Sequence, residues 1–205
     1  MPILYRVFGL LGLLILSACG AAESKWAPDA EVARARYVHG APYSLTLFTV
    51  INNRSGKGGH SSLLVNAPSQ RAIFDPAGTF YHPHLPERND VHFGMSDAAV
   101  QFYMDYHARV TWHVVRQEIV VSPEVAELAL AKIQSHGAVS KTQCAASVSS
   151  ILQGLPGFGD VPRTMSPKKL MFWFAEQPGV IESKFYDDSP DDNGRLVQAP
   201  PLLLN

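Results

Sequence analysis

Hydrophobic and polar residues alternate, at least in part, along three neighbouring stretches of the chain, which is the pattern of half-buried β-strands. These stretches are residues 44–51, 60–65 and 71–75, and residues rich in turn formers separate them. They therefore predict consecutive antiparallel strands. A strong fourth strand is predicted at 112–121, and the irregular segment 76–94 before it is predicted to be a long loop of the kind that often carries function.

Helix start and stop signals mark the rest of the domain. The predicted helices cover residues 97–108, 123–136, 142–153 and 167–174, with Ser96, Ser122, Thr142 and Ser166 as their caps, and a short helix is predicted near 29–37. This pattern indicates an α+β fold, a single antiparallel sheet with helices to one side. The strand and helix faces that must close its core are expected to bury Leu64, Val65, Ile73, Phe74, Val114, Ile119, Val148 and Ile151.

The first residues have the features of an export signal. Residues 7–16 are apolar, too few to cross a bilayer as a helix but enough for the hydrophobic region of a signal peptide. The run ends in Leu16-Ser17-Ala18-Cys19, which resembles the lipobox of bacterial lipoproteins. The resemblance implies cleavage after residue 18 and lipid on Cys19, whereas the alternative is an ordinary signal peptide with a chance cysteine. Gly20 after the cysteine favours the outer membrane, facing the periplasm.

The remaining boundaries and the partners follow from composition. Residues 1–18 are predicted to be the signal peptide, 19–40 a tether, 41–185 the domain and 186–205 a loose, acidic and proline-rich tail. The whole chain has a formal net charge of −1 and no basic run, so no nucleic-acid partner is expected. Its expected contact is a membrane, through the lipid anchor.

The cysteine count singles out one thiol. The chain has two cysteines, and lipidation of Cys19 would leave Cys144 unpaired in an oxidising compartment. Such a thiol is either buried and inert or kept for its reactivity. Thr142 as the helix cap would put Cys144 in the first turn, where unpaired amides and the helix dipole favour a thiolate.

A thiolate nucleophile needs an imidazole that takes and returns a proton. His60 is the candidate because it opens a strand directly after two glycines. A third polar group should orient the imidazole. Asp75, at the end of the adjacent strand, is the best placed, and Asn66 is the alternative.

These residues carry a resemblance to a known family. The strand that begins Gly59-His60 precedes a helix that begins Gln143-Cys144, the reverse of the order in papain. This order resembles the circularly permuted papain-like superfamily, which includes lecithin:retinol acyltransferase-like proteins and permuted NlpC-type relatives of cell-wall peptidases. The resemblance covers residues 41–175 and implies a catalytic Cys–His pair acting on amide, ester or thioester bonds, without a cofactor. Several members carry a second histidine where this chain has Asp75.

Three functions follow. The leading prediction is an envelope thiol hydrolase or acyltransferase acting on a cell-wall peptide or a lipid ester or thioester. The second is a non-catalytic envelope lipoprotein that binds a peptide, lipid or partner. The third is a metal-binding protein that uses His82, His84 and His92, since His-x-His on an extended segment puts both rings on one face.

Overall fold

The protein folds around one open antiparallel sheet. The computed structural model describes residues 22–193. The strands are β1 (Ser44–Asn52), β2 (Gly58–Asn66), β3 (Arg71–Phe74), β4 (Glu87–Arg88), β5 (Val91–Phe93), β6 (Trp112–Val120) and β7 (Ile181–Tyr186). Their order across the sheet is β4-β5-β3-β2-β1-β6-β7, so β1 and β2 lie in the interior. The predicted α+β class with one antiparallel sheet is confirmed.

Five helices accompany the sheet in the described part of the chain. They are α1 (Asp29–Arg34), α2 (Asp97–His107), α3 (Pro123–His136), α4 (Cys144–Gln153) and α5 (Pro167–Ala175). Three predicted caps are confirmed, because the side chains of Ser96, Ser122 and Ser166 each accept a hydrogen bond from a backbone N–H in the first turn. None of the helices in residues 22–193 is long and apolar enough to cross a membrane.

The expectation that helices cover one side of the sheet is wrong. Residues of α3, α4 and α5 pack against Leu45, Leu63 and Phe74 on one face, whereas α2 packs against Phe48 and Leu64 on the other. Strand β1 is accordingly buried at every position except its last. Partial alternation suggested one solvated face, but Ser44 and Thr46, which alternate with the leucines, are buried as well.

The predicted core is confirmed. Seven of the eight residues named for it are buried, and Ile119 is partly buried against the cluster formed with α3–α5. The sequence pattern did not reveal the two edge strands, β4 and β7, or β5 beside β4. Strands β4 and β5 are only two and three residues long, too short to show a pattern, and β7 is almost fully exposed.

Parts of the expected tether and tail contact the domain. Within 19–40, Lys25 pairs with Glu87, and the backbone N–H of Ala27 donates to the Glu87 carbonyl. Beyond β7, the Ser189 carbonyl accepts a hydrogen bond from the Val110 N–H. The signal peptide, Cys19 and the end of the tail lie outside the described residues.

Candidate functional site

The sheet register brings two of the predicted site residues together. Leu63 pairs with Phe74, so Asp75 lies opposite Ser62 and diagonal to His60 on the same face. The side chain of His60 is 15% exposed and that of Asp75 is 1% exposed. His60 Nε2 donates to Asp75 Oδ1 over 2.7 Å, which leaves Nδ1 as the ring nitrogen available to a second partner.

The ion pair shifts both pKa values. Burial alone would lower the pKa of His60, but the charge and hydrogen bond of Asp75, with smaller contributions from Cys144, raise it to about 10. Burial would raise the pKa of Asp75, but the charge and hydrogen bond of His60 hold it well below its usual range. At neutral pH the pair is therefore an imidazolium and a carboxylate.

The third predicted site residue, Cys144, is the first residue of α4 and is 7% exposed. Burial raises the pKa of its thiol, but the hydrogen bond and charge of His60 outweigh this and lower it, with further help from the backbone N–H groups of Ser61 and Ala145. The structure thus brings Cys144, His60 and Asp75 into one site, with His60 interacting with both the thiol and the carboxylate.

The cap of the cysteine helix differs from the prediction. The cap residue is Gln143, with no side-chain hydrogen bond, and Thr142 before it has a φ of 74°. Left-handed backbone is uncommon for a β-branched residue. The turn that it makes starts α4 at Cys144 itself, so the sulfur lies at the amino end of the helix, where the dipole favours a thiolate.

Asn66, the alternative orienting residue, has a structural role. It lies at the other end of β2 from His60, opposite Ser44. Its side-chain amide donates to the backbone carbonyls of Gly40 (2.9 Å) and Pro42 (2.8 Å). These bonds hold the chain entering β1, and Asn66 takes no part in the site.

Helix α2 supplies two site residues that the sequence analysis missed. The hydroxyl of Tyr103 donates to Asp75 Oδ1 and accepts from Ser62, and this network adds to the His60 bond in fixing the carboxylate. The ring of His107 stacks on that of His60, with 5.7 Å between centroids and 6° between planes. Tyr103 and His107 are four residues apart and therefore share one helix face, which is the signal that could have linked them.

A cleft of about 440 Å³ opens beside His60. His107, Gly78 and Trp112 also line it. A Cβ atom on Gly78 would lie 1.7 Å from Asp75 Oδ2, so this position accommodates only glycine without displacing the carboxylate. The cleft gives access to the imidazole of His60, and Cys144 is not among its lining residues.

The metal site proposed for the histidine loop is wrong. The rings of His82 and His84 lie 5.5 Å apart, but His92 is buried against Phe80, and the three residues do not form a group of ligand atoms close enough to share an ion. Across residues 22–193, one group of three potential metal ligands has its ligand atoms within 4.8 Å of one another, and it is His60, Asp75 and His107.

This geometry suits acyl transfer through a thiol. A lowered thiol pKa, an adjacent imidazolium and a buried carboxylate behind it form a nucleophile–base–orienter arrangement. Searches among protein-family models, curated proteins and solved structures found no match to the chain.

Proposed function

We propose that this chain is a thiol hydrolase or acyltransferase of the permuted papain-like type. The observation that carries the proposal is the position of His60 between Asp75 and Cys144. Cys144 attacks the carbonyl carbon of an amide, ester or thioester and forms a thioester. His60 transfers its proton to the leaving group, and then takes a proton from the water or acceptor that attacks the thioester.

The amino end of α4 contributes to the same reaction. The first N–H groups of a helix have no partner within the helix. The N–H of Cys144 is one of them, and it lies beside the sulfur, where it can donate to the oxyanion of the tetrahedral intermediate. Removing one such donor typically costs about 10²–10³ in rate. Gln143, directly before the cysteine, is the second candidate donor.

The proposed location is the bacterial cell envelope. The apolar stretch at 7–16 and the Leu16–Cys19 lipobox support export and lipid attachment at Cys19. A lipid-anchored domain facing the periplasm would meet cell-wall peptides and membrane lipids. The proposed substrates are therefore a cell-wall amide or a lipid ester or thioester.

Trapping of the acyl-enzyme tests the proposal. The purified chain is mixed with an activated ester such as p-nitrophenyl acetate, and the intact mass is measured at short times. We expect one acetyl group on Cys144, no acetyl group on the Cys144→Ala variant, and slow acylation of His60→Ala. Acetylation of Cys144 at the same rate with and without His60 would contradict the proposal and leave a binding protein as the function.

A further inference from the structure

His60, Asp75 and His107 converge at the wall of the cleft from three elements, β2, the end of β3 and α2. One potential ligand atom from each lies within 4.8 Å of the other two. We infer that these three side chains form a zinc(II) site. The inference concerns metal binding and does not depend on whether the thiol is catalytic.

The tautomer of His107 is set for metal binding. Its Nδ1 lies 2.9 Å from the Tyr103 carbonyl oxygen, and because a carbonyl only accepts, Nδ1 carries the hydrogen. In the neutral ring Nε2 then has a free lone pair. Histidines that bind metals usually donate their other ring N–H to a carbonyl or carboxylate in this way, which fixes the ring orientation.

Asp75 supplies an oxygen that the protein leaves unpaired. Oδ1 accepts from His60 and Tyr103, whereas Oδ2 is buried and has no hydrogen-bond partner among residues 22–193. Buried polar atoms without a partner are rare because they lose solvation without compensation. A methyl group at Gly78 would lie 1.7 Å from this oxygen, so the oxygen packs directly against the glycine, which offers it no side-chain partner. A cation would supply the missing partner.

Two imidazoles and one carboxylate are a ligand set that suits zinc. Zinc–nitrogen and zinc–oxygen bonds are about 2.0–2.2 Å, and three protein ligands with a fourth position open to solvent are typical of accessible zinc sites. Ligand atoms around a tetrahedral ion lie about 3.3–3.6 Å apart. The three side chains would therefore need to draw together by about 1 Å, while the fourth position faces the cleft.

Binding would change the state of His60. Zinc would replace the proton on Nε2, and that proton would leave to solvent, so the His60–Asp75 hydrogen bond would be exchanged for two bonds to the metal. The bound ion carries two positive charges, so the site beside Cys144 remains cationic after the proton leaves.

Zinc titration of the Cys144→Ala variant tests the site without the thiol. The variant is titrated with zinc(II) against a chromophoric chelator. We expect one equivalent to bind, the binding to be lost when His107→Gln or Asp75→Asn is added, and retained when the exposed His84→Gln is added as a control. Absence of binding to Cys144→Ala, or binding that persists after both ligand substitutions, would overturn the inference.

Titration of the chain with intact Cys144 provides the second readout. We expect it to bind the same single equivalent of zinc with similar affinity, because the thiol is not one of the three ligands. Much tighter binding than in Cys144→Ala would mean that the thiol binds the metal, against the inference. Zinc binding to Cys144→Ala together with an unreactive Cys144 in the unsubstituted chain would support the site and contradict the proposed function.

Discussion

Replacement of Gly78 by alanine would disturb the site through the contact of the new methyl group with Asp75. The new methyl carbon would lie 1.7 Å from Asp75 Oδ2 and 2.4 Å from the carboxyl carbon, whereas ordinary contacts are 3.4–4 Å. The backbone of Gly78 is not in the left-handed region, so alanine is acceptable there apart from this contact. To reach an ordinary contact of 3.4 Å, the methyl carbon and the Asp75 carboxylate would have to move apart by about 1.7 Å.

A movement of that size would break the His60–Asp75 hydrogen bond, which is 2.7 Å long. Side-chain contacts at 3.6 Å or more are no longer hydrogen bonds. Disruption of a buried ion pair typically costs about 3–5 kcal/mol. The pKa of His60 would fall as it loses the carboxylate, and the thiol pKa of Cys144 would rise. The ionised fraction of Cys144 at pH 7 would fall toward the roughly 3% of an ordinary thiol, so alkylation of this residue should slow by up to about 30-fold.

Gly159→Ala is the matched control, because a Cβ there would meet nothing within 4 Å and its backbone is also not left-handed. Replacing glycine by alanine lowers the conformational entropy of the unfolded chain, and this effect alone would stabilise the folded state of either variant by about 0.4–1 kcal/mol. We therefore expect Gly159→Ala to be neutral or slightly stabilised, and Gly78→Ala to lose both stability in urea and alkylation rate at pH 7. Equal behaviour of the two variants would refute the reasoning about Asp75.

Three further predictions concern the charge on Asp75, the proton on His60 and the anchor. Asp75→Asn keeps the shape of the side chain but removes the charge that raises the His60 pKa, so we expect this pKa, followed by NMR, to drop from about 10 toward 6.5. The loss of acyl-transfer rate should be smaller than that of His60→Ala. An unchanged His60 pKa would count against the ion pair. Because the pKa of Cys144 is lowered and that of His60 is raised, the rate of acyl transfer should increase with pH through the thiol pKa and decrease as pH rises through about 10. A decrease in rate already near pH 7 would contradict these directions. Cys19→Ser should release the protein from the membrane fraction, and persistence of palmitate labelling in that variant would refute the lipobox.

The three catalytic candidates could be predicted because local signals mark each of them. Cys144 is an unpaired thiol at a helix start, His60 follows a Gly-Gly pair, and Asp75 ends the next strand. A hairpin register then places His60 and Asp75 on one face. One glycine of the pair lets another backbone come close, because a Cβ on Gly58 would lie 2.9 Å from the backbone nitrogen of Lys168 in α5.

The contribution of α2 could not be predicted in the same way. The periodicity of this helix shows that the face with Tyr103 and His107 is buried, but not which strands it covers. That depends on how the chain crosses from β5 to the far face of the sheet, a long-range choice without a local signal. The role of Gly78 could not be predicted for a different reason, because it depends on the side-chain orientation of the carboxylate three residues earlier in a turn.

The central claim is that Cys144 is reactive because of the protonated imidazole of His60 beside it. The most direct test is the rate of iodoacetamide alkylation of Cys144 as a function of pH, in the unsubstituted chain and in His60→Ala, with folding checked by circular dichroism. We predict a thiol pKa below the ordinary value in the former and a rise to about 8.5 or higher in the variant, because the adjacent cation is lost and the sulfur stays buried. The same thiol pKa in both proteins would contradict the account and make Cys144 a structural residue.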